Sequence, residues 1–397
     1  MSLALGLFFL FEGFILATWV FRHFRLTWVL GHEPILAPEP PGELVDPPLV
    51  SIIVPARNEE GNIAECLDSV LAQSYPRREV IVVDDRSEDG TAEVVRRQQE
   101  RSADVRLVQV NHLPAGWTGK THALAQAARE ARGEWFLFVD ADIRLHKDNL
   151  ASALAYARQH GLEFLSLLAR TDCRSFWEGV LQPLLGIMLM LRFPLSSVND
   201  PRRSCAFANG QYILIRRSAY DALGGHAAVS GELLEDIALA QRAKAQRLPL
   251  AVVHGYQVAS VRMYGSFPDI WRGWRRIYIH ALGRRAGSLL LSAALIVLFS
   301  LNPLALALAG VLGVLVGGGG GAWLGAAAVG VVQVAAMMSV VYRMYRRLIL
   351  AQARYLVLYP VAMLVGLGLF LDALLSLVIR RELVWRGTAY PVRTPTR

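Results

Sequence analysis

Two aspartates one residue apart are the side chains in this chain best suited to chemistry. Asp140 and Asp142 end the segment Glu134-Trp-Phe-Leu-Phe-Val-Asp-Ala-Asp, in which five apolar residues are followed directly by the two carboxylates. The apolar run predicts a buried parallel strand, and ligands bind at the carboxyl ends of strands in an α/β sheet. Two carboxylates there supply hard oxygen ligands, which suit Mg²⁺ or Mn²⁺ on a diphosphate. By itself, the pattern more often marks a solvated strand-to-turn pair than a metal site, so the neighbouring residues decide.

Polar residues also follow the first two predicted strands. The first strand, 49–54, continues into Pro55-Ala-Arg-Asn-Glu59, and the second ends at Asp84-Asp85. A carboxylate at such a strand end can accept a hydrogen bond from a base N–H or from a ribose hydroxyl. Together with the later aspartate pair, these residues indicate a ligand site rather than scattered surface charges.

The elements that must position these side chains alternate between strand and helix. Predicted strands lie at 49–54, 79–83, 105–110 and 135–139, and predicted helices at 62–73, 91–100 and 120–132. This alternation predicts an α/β domain with a mostly parallel sheet, and right-handed crossovers are the default for it.

Long apolar segments at both ends of the chain indicate a membrane protein. The mean hydropathy is +0.34 and 54% of the residues are apolar, which exceeds the usual fraction of a soluble domain. Segments 1–21, 286–342 and 355–379 are each long enough to cross a bilayer, which takes about 20 residues. Segment 1–21 lacks a basic start and a clear cleavage site, so we interpret it as a retained anchor rather than a signal peptide.

The chain therefore divides into a central domain between membrane segments. The predicted parts are an anchor at 1–25, a proline-rich extended linker at 26–48, a domain at 49–280, two spans at 286–342, a further segment at 355–379 and a tail at 380–397.

Three details of this division remain open in the sequence. Residues 176–198 are apolar but contain charges and prolines, and we interpret them as an interfacial helix, with a plain core helix as the alternative. Segment 355–379 is either one span or a re-entrant hairpin broken near Pro360 or Gly366. The hairpin would keep the tail in the cytoplasm, which the basic residues favour.

The net charge of +8 has a membrane explanation. Basic residues cluster beside the apolar segments, as the positive-inside bias and anionic headgroups favour, and no pattern of a nucleic-acid module is visible. The three cysteines are widely spaced, so they form neither a disulfide framework nor a zinc site.

The combination of motifs resembles the family 2 glycosyltransferases over about residues 49–280. The resemblance rests on Pro55-Ala-Arg-Asn-Glu59, Asp84-Asp85-Arg-Ser, Asp140-Ala-Asp142 and Leu234-Glu235-Asp236. It implies a single nucleotide-sugar-binding domain of the GT-A type, which transfers a sugar with inversion by direct displacement.

The resemblance also implies a role for each matching residue. Asp236, with Glu235 beside it, takes the place of the base that deprotonates the acceptor, and Asp142 with Asp140 would hold Mg²⁺ or Mn²⁺. The implied donor and nucleotide contacts are Pro55, Arg57, Glu59, Asp84, Asp85, Lys120 and Asp140.

Further segments are similar to membrane-bound members that glycosylate lipids, such as hopanoid-associated and carotenoid-type enzymes and, more distantly, ceramide glucosyltransferase. Gly116-Trp-Thr-Gly-Lys120 matches a Gly-Trp-x-Gly-Lys pattern, and Asn209-Gly210-Gln211 is expected to shape the sugar or acceptor pocket.

One motif departs from the family pattern. Where relatives carry Gln/Arg-x-x-Arg-Trp, this chain has Arg272 and Arg275 in step but Arg276 in place of tryptophan. Two interpretations of Arg272 and Arg275 therefore remain open, contact with the diphosphate and a general role of basic residues at the membrane surface.

The sequence thus predicts an inner-membrane, multi-pass enzyme with a cytoplasmic catalytic domain. It would transfer a hexose from a nucleotide sugar, with UDP favoured as the nucleotide, to a hydroxyl of a membrane lipid. Two alternatives remain, a polysaccharide synthase and a non-enzymatic scaffold with a degenerate transferase fold. The altered arginine motif weighs against the first, and the intact acidic residues weigh against the second.

Overall fold

The computed structural model describes most of the chain, which folds into two compact units. The sheet unit comprises Glu33–Asp172 and Met190–Met263, and the helical unit comprises Met1–His32, Cys173–Leu189 and Tyr264–Arg397. The described residues are 3–40, 46–317, 320–346, 352–380, 382–385 and 388–391.

The sheet unit is built on a seven-stranded sheet in the order β3-β2-β1-β4-β8-β6-β9. The strands of the sheet unit are β1 (Val50–Ala56), β2 (Arg78–Asp85), β3 (Val105–Val110), β4 (Trp135–Val139), β5 (Ile143–Leu145), β6 (Phe164–Leu168), β7 (Arg170–Thr171), β8 (Tyr212–Arg216), β9 (Leu250–His254) and β10 (Ala259–Val261). Two further strands, β11 (Glu382–Trp385) and β12 (Thr388–Pro391), belong to the helical unit.

Strands β1 and β4 pair in parallel near the middle of this sheet and are almost entirely buried, as their continuous apolar runs favour. Strand β1 pairs in parallel with β2 on one side and β4 on the other, and its Val50, Ile52 and Ile53 are inaccessible to solvent. Each such side chain contributes about 1.5–3 kcal/mol through burial. Strand β8 pairs antiparallel with β4 and β6, but the other four pairings of this sheet are parallel, so the predicted mostly parallel sheet is confirmed.

A small second sheet follows directly on the Asp140-Ala-Asp142 segment. Strand β5 begins at Ile143 and pairs antiparallel with β10, which also pairs with β7. The two aspartates therefore lie between the end of one sheet and the beginning of another, which holds their backbone from both sides.

The helices connect and cover these sheets and form the helical unit. They are α1 (Leu3–His32), α2 (Ile63–Leu71), α3 (Thr91–Arg101), α4 (Gly119–Glu130), α5 (Asn149–Gln159), α6 (Phe176–Arg192), α7 (Leu195–Val198), α8 (Arg217–Ala222), α9 (Glu235–Ala245), α10 (Phe267–Ala281), α11 (Ala286–Ile296), α12 (Asn302–Val316), α13 (Gly321–Met344) and α14 (Tyr359–Leu375).

Five stretches among the described residues are long and apolar enough to cross a membrane. They are Leu3–Val29, Phe176–Val198, Ala286–Val316, Gly321–Met344 and Ala353–Ile379. Two of them, Ala286–Val316 and Gly321–Met344, match the two spans expected at 286–342. The glycine run expected to form their turn includes residues 318–319, which lie outside the described part.

The first helix is longer than the predicted anchor. Helix α1 continues to His32, because the nearby basic residues are compatible with a helix and the first breaker is Pro34. The residues after it are extended but docked rather than a free linker. Ile35 forms a parallel bridge with His254, and the Glu33 carboxylate lies 2.7 Å from Nε2 of that histidine. Linker residues 41–45 lie outside the described part.

Two further helical segments differ from the expectation. The predicted helix 176–198 is two helices, α6 and α7, with Pro194 as the N-cap of the second. Helix α14 begins at Tyr359, beside Pro360, and continues through Gly366 without interruption, so a break near Gly366 is not observed. Whether 355–379 spans the membrane or re-enters it, and on which side the tail lies, stay predictions. Pro360 lies in the first turn, where its missing N–H needs no partner. Within the tail, residues 381, 386–387 and 392–397 lie outside the description.

Candidate active site

The backbone of Asp140 is held in place at the end of β4. Its N–H donates to the carbonyl of Gln211 over 3.3 Å, and its own carbonyl accepts the Cys66 thiol at 3.7 Å. Burial raises the pKa of Cys66 to about 12, so this thiol is an unreactive packing group rather than a nucleophile. Both carboxylates, Asp140 and Asp142, remain partly exposed and are therefore accessible to a ligand.

Lys120 connects the first aspartate to the acidic pair of α9. Its Nζ lies 2.7 Å from Oδ1 of Asp140 and 2.8 Å from Oε1 of Glu235. Burial alone would lower the pKa of this ammonium group, but the two carboxylates raise it above its ordinary value. The lysine is therefore a fixed positive charge between the two acidic motifs.

The first turn of α4 holds Lys120 in this position. The hydroxyl of Thr118 caps the helix by accepting the N–H of Thr121, as N-terminal threonines commonly do. The N–H of Thr118 and the hydroxyl of Thr121 both donate to the carbonyl of Ser230. The lysine loop is thus fastened to the loop that leads into α9.

Asp236 is held by two backbone N–H groups. Its Oδ2 accepts the N–H of Gly210 at 2.7 Å, and its Oδ1 accepts the N–H of Ile237 at 2.8 Å. A side chain in place of Gly210 would bring its Cβ to 2.9 Å from Oδ2 of Asp236, so glycine permits this close approach. Burial and then the Glu235 carboxylate raise the pKa of Asp236 to about 7, which suits a general base near neutral pH.

The ends of β1 and β2 form the neighbouring part of the site. Asp84 and Asp85 are buried; the first accepts the N–H of Ser87, and the second pairs with Nε of Arg86 at 2.8 Å. Nη1 of Arg57 lies 3.9 Å from the Asp85 carboxylate. The arginines thus lie beside the carboxylates predicted to contact the nucleoside.

Gly119 joins this part of the site to Lys120. A Cβ at that glycine would collide with Oδ2 of Asp85, so the start of α4 packs directly against the aspartate. Consecutive contacts therefore run from the end of β2 through Gly119 and Lys120 to Asp140 and Glu235.

The other predicted site residues of the sheet unit contribute to the local structure around the site. Pro55 lies within β1, and the Glu59 carboxylate accepts from Asn62. The Asn209 amide donates to the carbonyl of Leu167 and to Oε1 of Gln211. In the described contacts Asn209 thus stabilises the turn before β8, and Gly210 is the member of its motif that contacts Asp236.

The two predicted diphosphate arginines have partners within the helical unit. Arg272 pairs with Asp269 at 2.6 Å, one helical turn away, and Arg275 pairs with Asp372 of α14 at 2.8 Å. Trp271 donates its indole N–H to the same Asp372 carboxylate at 2.8 Å. Their diphosphate role stays a prediction.

Sequence reasoning missed three residues that shape this site. Cys66 and Ser230 have no charge and belong to no recognised motif, and Gly119 lies in the Gly-Trp-x-Gly-Lys match without a role of its own there. A glycine directly before a lysine, at the start of a helix, was the one available signal for Gly119, because a tight contact there favours the smallest residue.

Part of this chain is similar in sequence to known proteins. Residues 51–224 match the family described as Glycosyl transferase family 2, and the match includes the ends of β1, β2 and β4. Those residues are a glycosyltransferase family 2 domain. The predicted GT-A type α/β fold is confirmed with it.

The family 2 domain has characterised relatives in the sequence comparison. The 4,4'-diaponeurosporenoate glycosyltransferase of Staphylococcus aureus strain USA300 is 32% identical over 230 residues, which cover 57% of this chain and 60% of the relative. The homologous protein of strain MRSA252 matches to the same extent. The chain thus spans about 60% of the length of these curated relatives.

Solved structures similar to the chain include a mannosyltransferase and a complex with UDP-GlcNAc. The mannosyltransferase PcManGT from Pyrobaculum calidifontis, in complex with GDP-Man and Mn²⁺, shares 19% identity at a TM-score of 0.47 and covers 94% of this chain and 100% of its own. TarS 1–349 of S. aureus with UDP-GlcNAc shares 17% identity at a TM-score of 0.41 and covers 86% and 95%. Both similarities are too remote to support an argument about function.

Proposed function

We propose that the family 2 domain transfers a hexose from a nucleotide sugar to a membrane lipid, with inversion and with the help of a divalent cation. The observation that carries this proposal is Asp236, a carboxylate of raised pKa next to Glu235, which Lys120 links to Asp140. This arrangement combines a base for the acceptor with a donor-side carboxylate.

Asp236 is the proposed general base. It takes the proton of the acceptor hydroxyl while the hydroxyl oxygen forms a bond to the anomeric carbon of the sugar. The bond from that carbon to the diphosphate breaks, and its electron pair leaves with the diphosphate. One such displacement inverts the configuration. The N–H groups of Gly210 and Ile237 fix the orientation of the carboxylate.

The donor set fits a hard divalent cation. No cluster of three or more His, Cys, Asp or Glu side chains that could bind a metal is found among the described residues. Mg²⁺ commonly takes one or two carboxylates and completes its shell with water and substrate phosphates, so Asp142 and Asp140 match that requirement. When bound there, Mg²⁺ or Mn²⁺ would neutralise charge on the leaving diphosphate.

The nucleoside is assigned to the ends of β1 and β2. Asp84 and Asp85 provide carboxylate acceptors for base or ribose groups, and Arg57 lies near the second. Pro55 and Glu59 complete this proposed surface by their place in the family motif. In this proposal, Arg272 and Arg275 bind the diphosphate only after each has released its aspartate partner, Asp269 or Asp372.

The acceptor is proposed to be a lipid of the carotenoid type. The S. aureus relative is named for its action on 4,4'-diaponeurosporenoate, and the helical unit provides several apolar helices long enough to span a bilayer. Basic residues beside 1–21 and 286–342 favour a cytoplasmic catalytic domain at the inner membrane. Nucleotide sugars are also supplied on that side.

A transfer assay in bilayers tests the proposal. Full-length protein in lipid nanodiscs made with a total lipid extract would receive radiolabelled UDP-sugars and Mg²⁺ or Mn²⁺, with Asp236→Asn as the matched control. We expect label in the lipid phase only with wild type and cation, and the labelled product would identify sugar and acceptor.

Other outcomes would contradict specific parts of the proposal. Label in long water-soluble chains would indicate a polysaccharide synthase. Measurable nucleotide binding without transfer from any sugar donor would indicate a scaffold. Transfer that continues in the presence of a strong chelator would remove the cation from the mechanism.

A further inference from the structure

We propose that Lys120 is a positioning residue that serves as an internal cation of the free site and competes with the divalent cation for Asp140. This inference rests on the proposed function because it assigns the cation to Asp140 and Asp142. It adds an exchange between two cations, in which the lysine leaves Asp140 when the metal ion binds.

The contacts place the ammonium group directly on the predicted metal ligand. Nζ of Lys120 lies 2.7 Å from Oδ1 of Asp140, which is the length of a charge-assisted hydrogen bond. A metal ion bound to the same oxygen would lie within a few ångströms of the ammonium group. The two like charges would repel each other at that distance.

The second contact gives the lysine a place to remain after the exchange. Glu235 lies 2.8 Å from Nζ on the other side, and its side chain is almost completely buried. A buried carboxylate is costly unless a partner donates to it, and Lys120 donates to Glu235, so the lysine is expected to keep this contact when it leaves Asp140. Lys120 would then pair with Glu235 alone instead of with both Asp140 and Glu235.

The backbone around Lys120 limits how far it moves. Thr118 and Thr121 both bond to the carbonyl of Ser230, so the first turn of α4 stays attached to the loop before Glu235. The side chain of Lys120 is nevertheless 34% exposed. Part of the side chain is therefore open to solvent, and its ammonium group is held between two carboxylates.

Two measurements on full-length protein in nanodiscs test the exchange. The first is Mn²⁺ affinity without nucleotide, measured by electron paramagnetic resonance of the free ion. The second is the rate of reductive methylation of the Lys120 amine, followed by mass spectrometry with and without Mn²⁺. Exposed Lys147 provides the internal reference for labelling, and Lys147→Met is the matched control variant.

We expect Lys120→Met to bind Mn²⁺ at least about tenfold more tightly than wild type, because a neighbouring positive charge is removed. Lys120→Arg keeps the charge and should restore the weaker affinity. In wild type, Mn²⁺ should accelerate methylation of Lys120 and leave that of Lys147 unchanged. A merely structural lysine would produce neither the tighter binding nor the selective change in labelling.

Several results would overturn the inference. Equal or weaker Mn²⁺ binding by Lys120→Met would show that the lysine does not compete, and so would a Lys120 labelling rate that Mn²⁺ leaves unchanged. If Lys120→Met fails to fold, the effect of Mn²⁺ on the labelling of Lys120 in wild type decides. Transfer of sugar by wild type is a separate readout, so failure of the exchange and failure of the proposed function are distinguishable.

Discussion

Carboxylates in the two units have different surroundings. In the sheet unit, Asp140, Glu235 and Asp236 all interact with the single ammonium group of Lys120. In the helical unit, buried Glu12 accepts the side-chain N–H groups of Asn302 and Gln333. Negative charge exceeds positive charge in the first cluster, whereas neutral amides satisfy the carboxylate in the second.

A second carboxylate of the helical unit strengthens this contrast. Asp372 of α14 is paired with Arg275 and also accepts the indole N–H of Trp271, so one negative charge is matched by one positive charge. Ionisable residues in apolar helices are costly unless they are paired. The difference indicates that the helical unit uses carboxylates to join helices, whereas the sheet unit keeps an excess of negative charge for a cationic ligand.

The strongest test of this contrast exchanges one carboxylate in each unit for its amide. Asp236→Asn should reduce transfer about 10²–10⁴-fold, the usual contribution of a general base, because the amide still accepts the Gly210 N–H but cannot take a proton. Glu12→Gln should leave transfer within about threefold, since it removes no reacting group. Steady-state assays in nanodiscs measure both, and equal losses would contradict the contrast.

Removal of divalent cations should have the next largest effect. Chelation should reduce transfer by about 10²-fold or more, because metal binding contributes several kcal/mol to the transition state. Unfolding of the helical unit should not respond, since its buried carboxylates have protein partners. Parallel activity and thermal-unfolding measurements with and without chelator would show this, and a chelator that destabilises without inhibiting would reverse the assignment.

Breaking the Asp372 pairing should reduce stability rather than chemistry. Asp372→Leu should lower the free energy of unfolding by about 2 kcal/mol, between the values for a buried ion pair and for hydrogen bonds in membranes. Asp372→Leu also removes the charge partner of Arg275. Adding Arg275→Met to Asp372→Leu should therefore change the free energy of unfolding little further. Denaturation in bicelles measures the coupling. If Arg275→Met instead loses most of its transfer activity while it keeps wild-type stability, the diphosphate role of Arg275 is supported.

The smallest expected effect is on pH dependence. Because the pKa of Asp236 is raised to about 7, kcat/KM should fall about tenfold per pH unit below 7 as the base becomes protonated. The raised pKa also means that wild type loses stability as the pH rises through about 7. Asp236→Asn should therefore gain thermal stability over wild type at pH 8 and not at pH 3. If the residual kcat/KM of Asp236→Asn still falls below pH 7, protonation of Asp236 is not the cause of that fall.

Local patterns in the sequence determined much of this protein. The apolar run at 135–139 predicts a strand, and β4 has those bounds. A continuous apolar run or a helical spacing depends on neighbours along the chain, so burial and element type can be inferred from it. The long apolar segments of the helical unit follow from the same logic.

Only the tertiary structure decided which side chains meet. Strand β8 lies between β4 and β6, and this non-local pairing brings Gly210 to Asp236. Lys120 contacts Asp140 and Glu235 because the start of α4 is bonded to Ser230 in the loop before α9, and Arg275 pairs with Asp372 instead of remaining open. The sequence determines residue types and local periodicity, but contacts between distant residues depend on how the ends of separate elements converge in space.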